Sequence, residues 1–500
     1  MPTAVLLLIC VQSPRLRAQS VPVQASTPET IEQKVEHLAA AVTQAEAQME
    51  AYQRQLADLR QQLGALQQQM AVEKGTPSPA GQPSVANGGG AEAPSGAAAT
   101  LDEIRERQAI EESQIATHEV TKVETESKFP LKVSGLLLLS GFVNTRQVDV
   151  SAAPAYAIPG PGSTGLSLRQ TVLGLDARGP HLFSATSRAD LRADFFASST
   201  LSNYAAGGVL RLRTAHAALD WKNTEAFVEL DRSILEPNEP SSLVAIAQPE
   251  LAWAGNLWTW NPQIGVSHRF AFSDSSGIKA EAALIDTSDP QLPGAPNSTT
   301  PPLTETERSR WPGTEARIAF QHGEGGARQE IGVGGYFSPH RTGSGSTFDA
   351  WAGTMDLKMS LSKYFEMTAN AYRGQALAGL GGGGYVNYYE AYRGTEEYAQ
   401  ALDDVGGWAQ LKARAGQRLE MNAGFGTDNP FGEEIRAALS QAGGTPYYGV
   451  ARNRSVFSNV IYSPSTYLLF SLEYRRLWTN LSTGPTDFSD VIGIGAGYRF

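Results

Sequence analysis

Cysteine is almost missing from this chain of 500 residues: Cys10 is its one thiol. A disulfide framework, a cysteine zinc site and a cysteine nucleophile downstream of it are therefore excluded. Long apolar runs are missing too. The longest, Ala4 to Val11, is far shorter than the ~18 residues a membrane-crossing helix needs. There is no excess of positive charge; the formal net charge is −11, and a nucleic-acid partner that needs a basic face is excluded. Charged residues make up only 18%, with Gly at 50 residues. No Walker loop, no Gly-x-Ser-x-Gly elbow and no His-Glu-x-x-His is present, so no enzyme class is indicated and no cofactor is expected. The seven histidines are scattered without ligand spacing, so no metal site is expected.

What is present starts with an export signal. Ala4–Val11 has the length of a secretory apolar core, and Ala18-Gln19-Ser20 supplies small residues for cleavage, giving a signal peptide over 1–20. The basic stretch that normally precedes such a core is missing; one explanation is a start codon further upstream. Ile9, branched before Cys10, argues against lipidation.

From Ile31 the apolar positions run Ile31, Val35, Leu38, Val42, Ala45, Met49, Tyr52, Leu56, Leu59, Leu63, Leu66 and Met70. Steps of four and three alternate without a break. That is a coiled-coil seam, assigned to 27–72, and a seam needs partner helices. Pro-, Gly- and Ala-rich sequence over 73–100 reads as a flexible linker. Residues 101–129 recover helical character through Leu101, Ile104, Ile110 and Ile115. The first 129 residues carry 16 acids and 10 bases, the rest 35 and 30, so the acidity sits before the last segment.

Residues 130–500 alternate with period two. Leu468, Phe470, Leu472 and Tyr474 interleave with Ser471, Glu473 and Arg475; Met355, Leu357 and Met359 interleave with Asp356 and Lys358. One face meets an apolar medium and the other meets water. The polar face is rich in charge, and short connections alternate with long ones. Short ones include 178–180, 221–223, 362–364, 415–417 and 463–465; long ones include 149–166, 232–257, 287–313, 378–403 and 426–448. This is the pattern of an all-β, 16-stranded antiparallel transmembrane barrel. Its strands begin near 131, 167, 181, 209, 223, 258, 277, 314, 328, 348, 365, 404, 417, 449, 465 and 488. An even count puts both chain ends on the periplasmic side.

Several residues are expected to carry function. Arg188 and Arg192 on one strand face inward beside Arg211 and Arg213 on the next, a basic wall that attracts anions. Lys412, Arg414, Arg418 and Arg475 form a second wall across the lumen. The competing reading is a charge-balanced structural wall, with Asp190, Asp194, Glu225 and Glu229 neutralising the first set. The connection 232–257, with a short helix at Ser241–Ala247, is the candidate constriction. Trp258, Trp260, Trp351 and Trp478 are expected in the lipid-facing aromatic girdles. The Gly-rich stretch 160–165 is expected in a flexible outer loop. The acids Asp428, Glu433 and Glu434, and Glu396, Glu397, Asp403 and Asp404, are expected in solvated outer loops.

The terminal Phe500 with Tyr498 resembles the sorting signal of bacterial outer-membrane barrels, and Lys128-Phe129-Pro130-Leu131-Lys132-Val133-Ser134-Gly135 and the stretch Leu166 to Leu175 with Gly179-Pro180 resemble the DcaP-like outer-membrane porins. Arg211-Leu212-Arg213-Thr214 and Gly255 to Trp260 are also similar to acidobacterial outer-membrane proteins. The resemblance implies a homotrimer in outer-membrane lipid, with a periplasmic coiled coil and passive diffusion of small hydrophilic solutes, anionic carboxylates among them. The rival is an envelope tether whose rod reaches peptidoglycan while the barrel acts as anchor.

Overall fold

The structure is a computed structural model, and it describes residues 122–123, 130–197, 208–288, 303–323, 328–393, 396–441, 450–482 and 484–500. The signal peptide, the heptad rod, the linker and the helical stretch 101–118 lie outside the described residues. Lys122–Val123 pairs in extended form with Leu131 and Lys132.

Sixteen strands form one barrel. They are β1 (Leu131–Val148), β2 in two pieces (Ala157–Ser167 and Val172–Leu182), β3 (Ala185–Ala197), β4 (Val209–Asp220), β5 (Thr224–Asp231), β6 (Asn261–Ala271), β7 (Ser276–Ile285) and β8 (Gly313–His322). The other half is β9 (Gln329–Arg341), β10 (Thr347–Ser360), β11 (Phe365–Gln375), β12 (Asp403–Arg414), β13 (Leu419–Pro430), β14 (Val450–Tyr462), β15 (Leu468–Leu481) and β16 (Thr486–Arg499). Each pairs antiparallel with its neighbour in the chain, and β16 closes on β1 from Leu136↔Arg499 to Asn144↔Val491. Closure removes the unpaired edges that a sheet cannot leave open in lipid.

The strand count and nearly all starts follow the period-two reading, because alternation is enforced by two different media. Leu472, Ile494, Met355, Ile264 and Val333 on the outer face are each at least 45% exposed, while Ser471, Glu473 and Asp356 beside them are buried toward the lumen. Among the described residues no helix is long and apolar enough to cross a membrane.

Three local readings are corrected. The first hairpin turn is not 178–180: β2 continues through a register irregularity there and turns at Phe183-Ser184, both at positive φ (51° and 64°). Two successive left-handed residues give the primed turn that suits strand twist. The Gly-rich stretch 160–165 is not a flexible loop but strand, paired with β1 through Arg146↔Pro161 and Asn144↔Ser163. Glycine is needed there because a Cβ on Gly162 would sit 2.2 Å from the Asn144 carbonyl. Asp404 and Asp428 are not solvated: both are fully buried on β12 and β13. Tyr372 Oη donates to Asp428 (2.6 Å), and the Gly383 and Gly384 amides donate to Asp404 and Asp428 (both 2.9 Å) in place of water.

The connections fall into two sets. At one end they are short, such as 183–184, 221–223, 361–364 and 415–418; at the other they are long, such as 232–260, 286–312 and 376–402. β1 begins and β16 ends at the short-turn end.

Candidate functional site

The chain leaves β5 and enters the barrel. Loop 232–260 contacts the inner wall over most of its circumference. The Ser233 hydroxyl bonds the Glu315 carboxylate of β8, and Asn370 Nδ2 of β11 donates to the Leu235 carbonyl (3.0 Å). Trp408 Nε1 of β12 donates to Glu236 (3.0 Å). Further on, the Ser241 amide donates to Gln410 (2.6 Å), Asn459 Nδ2 of β14 donates to the Ser241 carbonyl (2.8 Å), and Ser242 Oγ donates to Glu473 of β15 (2.6 Å). Val244 packs over Gly493 and Gly495 of β16, where side chains would leave no room. The loop then returns past Arg475 and Asn453 to β6.

The deepest anchor is Gln170, in the break between the two pieces of β2. It is fully buried and makes four hydrogen bonds. Nε2 donates to the carbonyls of Val244 (2.7 Å) and Ala152 (3.0 Å), and Oε1 accepts from the amides of Ile246 (2.8 Å) and Ala247 (3.0 Å). These bonds explain why the helix expected at Ser241–Ala247 does not form. Ser242 Oγ accepts from the Val244 and Ala245 amides, so side chains satisfy the backbone donors that a helix would have used. The position of the constriction in 232–257 agrees with the sequence reading; its local conformation does not.

The first set of predicted arginines does face inward, and most of its charge is spent. Arg188 contacts Asp220 (2.6 Å), Glu225 and His216 Nδ1 (2.9 Å). Arg192 contacts Asp176 (2.6 Å), and Arg211 grips buried Asp194 through two nitrogens (3.0 and 2.7 Å). Arg211 also donates to the loop carbonyl of Ala247 (2.8 Å). Arg213 differs. It sits at a register shift in the β3–β4 ladder, makes no ion pair among the described residues, and lies 5.1 Å from the Trp260 ring centroid.

The second set does not form one wall. Lys412 pairs with Glu420 (3.3 Å) and Arg414 with Glu366 (3.3 Å), while Arg418 lies exposed in a short turn. Arg475 is buried under the loop, bonded to Glu250, Glu473 (2.9 Å) and the Pro154 carbonyl (2.9 Å). It anchors the loop.

Trp258 and Trp260 are not on the lipid face. β6 begins at Asn261, and both rings belong to the loop. Trp258 meets Trp253 edge-on at 5.9 Å and Trp260 at 5.4 Å, and Trp260 faces Arg211 as well as Arg213. Trp351 does face outward, as do Ile264, Val266 and Phe270.

The inner face is divided by residue type. Where the loop lies against it, on β11, β12 and β14, it presents Asn370, Gln410, Asn453 and Asn459, amides that donate to and accept from loop backbone. From β3 to β9 it presents Arg188, Asp190, His216, Glu225, Glu229, Glu281, Arg317 and Glu330 instead. Buried Arg317 alone holds Asp356 (2.8 and 2.6 Å), Glu281 (2.7 Å) and Glu330 (2.5 Å). Sequence reasoning missed Gln170, Trp408, Asn459 and Glu250. Amides on an otherwise charged inward face are the signal that marks a covered wall.

No family model and no curated protein matches the chain. Among solved structures it is similar to the outer membrane channel DcaP of Acinetobacter baumannii, at 14% identity and TM-score 0.57, over 76% of this chain and 100% of that one. An anion-selective porin from Comamonas acidovorans aligns at 9% identity and TM-score 0.46, over 75% and 100%. The OprB of Pseudomonas putida aligns at 10% and 0.45, over 74% and 94%. The closed sixteen-stranded barrel, with a loop folded into its lumen, thus shares the fold of the outer-membrane channel DcaP.

Proposed function

We propose that the protein is an outer-membrane porin through which small hydrophilic solutes diffuse passively. The observation that carries this reading is the set of charged side chains that β3–β9 present toward the short-turn end of the lumen, beside the loop 232–260 that covers much of the inner wall. Solutes pass between the two. Full closure, an apolar outer face and a charged inner one suit lipid outside and water inside.

Within this reading, small carboxylates are favoured at Arg213. Arg188, Arg192 and Arg211 are each held by carboxylates, so Arg213 is the guanidinium of that set left to meet a solute, and Trp260 offers a flat surface beside it. The test is the reversal potential under a salt gradient. Arg213→Gln should move it toward cation preference, and Arg188→Gln should move it much less. Equal shifts from both would remove Arg213 from this role. A homotrimer in outer-membrane lipid, with its short-turn end and heptad rod in the periplasm, completes the proposal.

The tether is a second reading, supported by the unbroken heptad seam from Ile31 to Met70. Deleting 27–72 would separate the two. A tether predicts unchanged permeability with a loosened envelope and lost attachment to peptidoglycan.

A further inference from the structure

Among the described residues, three cations at the short-turn mouth have no ion-pair partner. Where the β4–β5 turn meets β6, β7 and β8, a polar pocket of about 250 Å³ opens on the inner face. Lys222, Arg269, Lys279 and Arg328 line it, with Asp220 and Glu225. Both acids are committed to Arg188, and Lys279 is paired with Glu281 (2.6 Å). Lys222, Arg269 and Arg328 make no ion pair among the described residues. Arg269 Nε is shut off from solvent and has no hydrogen-bond partner. On β6, Ser267 beside Arg269 is buried, while Val266 and Phe270 are exposed on the opposite, outer face. Arg269 therefore points into the lumen and away from lipid, and Lys222 and Arg328 line the same pocket.

We propose that this pocket is a binding site for a small free oxyanion, at the opposite end of the lumen from Arg213. A guanidinium cut off from water is stabilised by an anion that accepts from it, and two further unpaired cations on neighbouring elements raise the local anion concentration. The site gives anions a second station at the short-turn mouth. It takes its purpose from the porin reading, but binding is measurable without transport.

The experiment is calorimetric titration of inorganic phosphate into the folded full-length protein in neutral detergent, with heat-shifted gel mobility reporting an intact barrel. Saturable binding is expected. It should weaken at least tenfold in Arg269→Gln and also in Lys222→Gln, whose exposed turn position leaves folding untouched. It should persist in Arg213→Gln and weaken with added NaCl. The same titration with phosphatidylglycerol in the micelles should give the same affinity. Absence of saturable binding, wild-type affinity in both Lys222→Gln and Arg269→Gln, or displacement by the lipid would each overturn the proposal. Failure of the porin reading appears separately, as absence of conductance, and leaves this titration unchanged.

Discussion

Gln170→Ala is the most informative perturbation of the constriction. The side chain makes four hydrogen bonds between 2.7 and 3.0 Å, three of them to loop backbone at Val244, Ile246 and Ala247. A buried hydrogen bond contributes about 1 kcal/mol net, so the four together contribute about 4 kcal/mol. Water in the lumen can re-solvate part of what is freed, which leaves a cost of about 2–3 kcal/mol. At 1.4 kcal/mol per decade, the population with a detached loop rises roughly 30- to 140-fold. Barrel pairing is unaffected, because Gln170 lies in the break of β2 outside its ladders. Single-channel recordings should show larger mean conductance and more frequent excursions, and chymotrypsin should cut near Trp253 and Trp258. Wild-type conductance, noise and protease resistance in Gln170→Ala would refute the view that this residue holds the loop down.

Other outcomes follow from the same contacts. Arg475→Leu leaves Glu250 and Glu473 buried without a counter-charge, which costs about 3–5 kcal/mol; the thermal unfolding midpoint should fall, and Arg475→Lys should restore part of it. Glu236, in the loop, is pushed up to about 8 by burial, and its Oε2 has no partner. Its carboxyl holds a proton more tightly in the packed loop than in a free one. That stabilisation is complete below the ordinary carboxylate value near 4.5 and is lost as pH rises through about 8. Loop proteolysis should therefore speed up over that window, and Glu236→Gln should flatten the profile. Trp260→Ala should weaken carboxylate block of chloride current while leaving total conductance in KCl nearly unchanged.

The barrel was legible because lipid and water impose a period-two pattern that no loop chemistry hides. Leu468 to Tyr474 and Met355 to Met359 show it without ambiguity. Reading failed where local composition and tertiary pairing disagree. Ile158 to Gly162 has the composition of a loop, yet it is strand, since glycine lets β1 approach. Trp258 and Trp260 fit the alternation of β6 by spacing, yet the strand starts after them and their rings turn inward. Asp404 and Asp428 look like loop acids, and only the fold brings Tyr372 and two glycine amides to them. For the lumen, inward direction was readable from alternation, and so was neutralisation of the first wall by Asp194 and Glu225. The partners Asp176 and Asp220 were not, because they reach Arg192 and Arg188 across ladders whose register shifts cannot be counted from sequence. Gln170 gave no periodic signal at all, because its role depends on a loop more than 70 residues away.

The central claim is an open, water-filled passage along the charged face of β3–β9. Its most direct test is conductance of the purified, folded full-length protein in a planar bilayer. The account predicts stepwise openings in groups of three, with steps that grow when the loop anchor Gln170 is removed. A barrel that is demonstrably folded and inserted, yet passes no current in either wild type or Gln170→Ala, would contradict it.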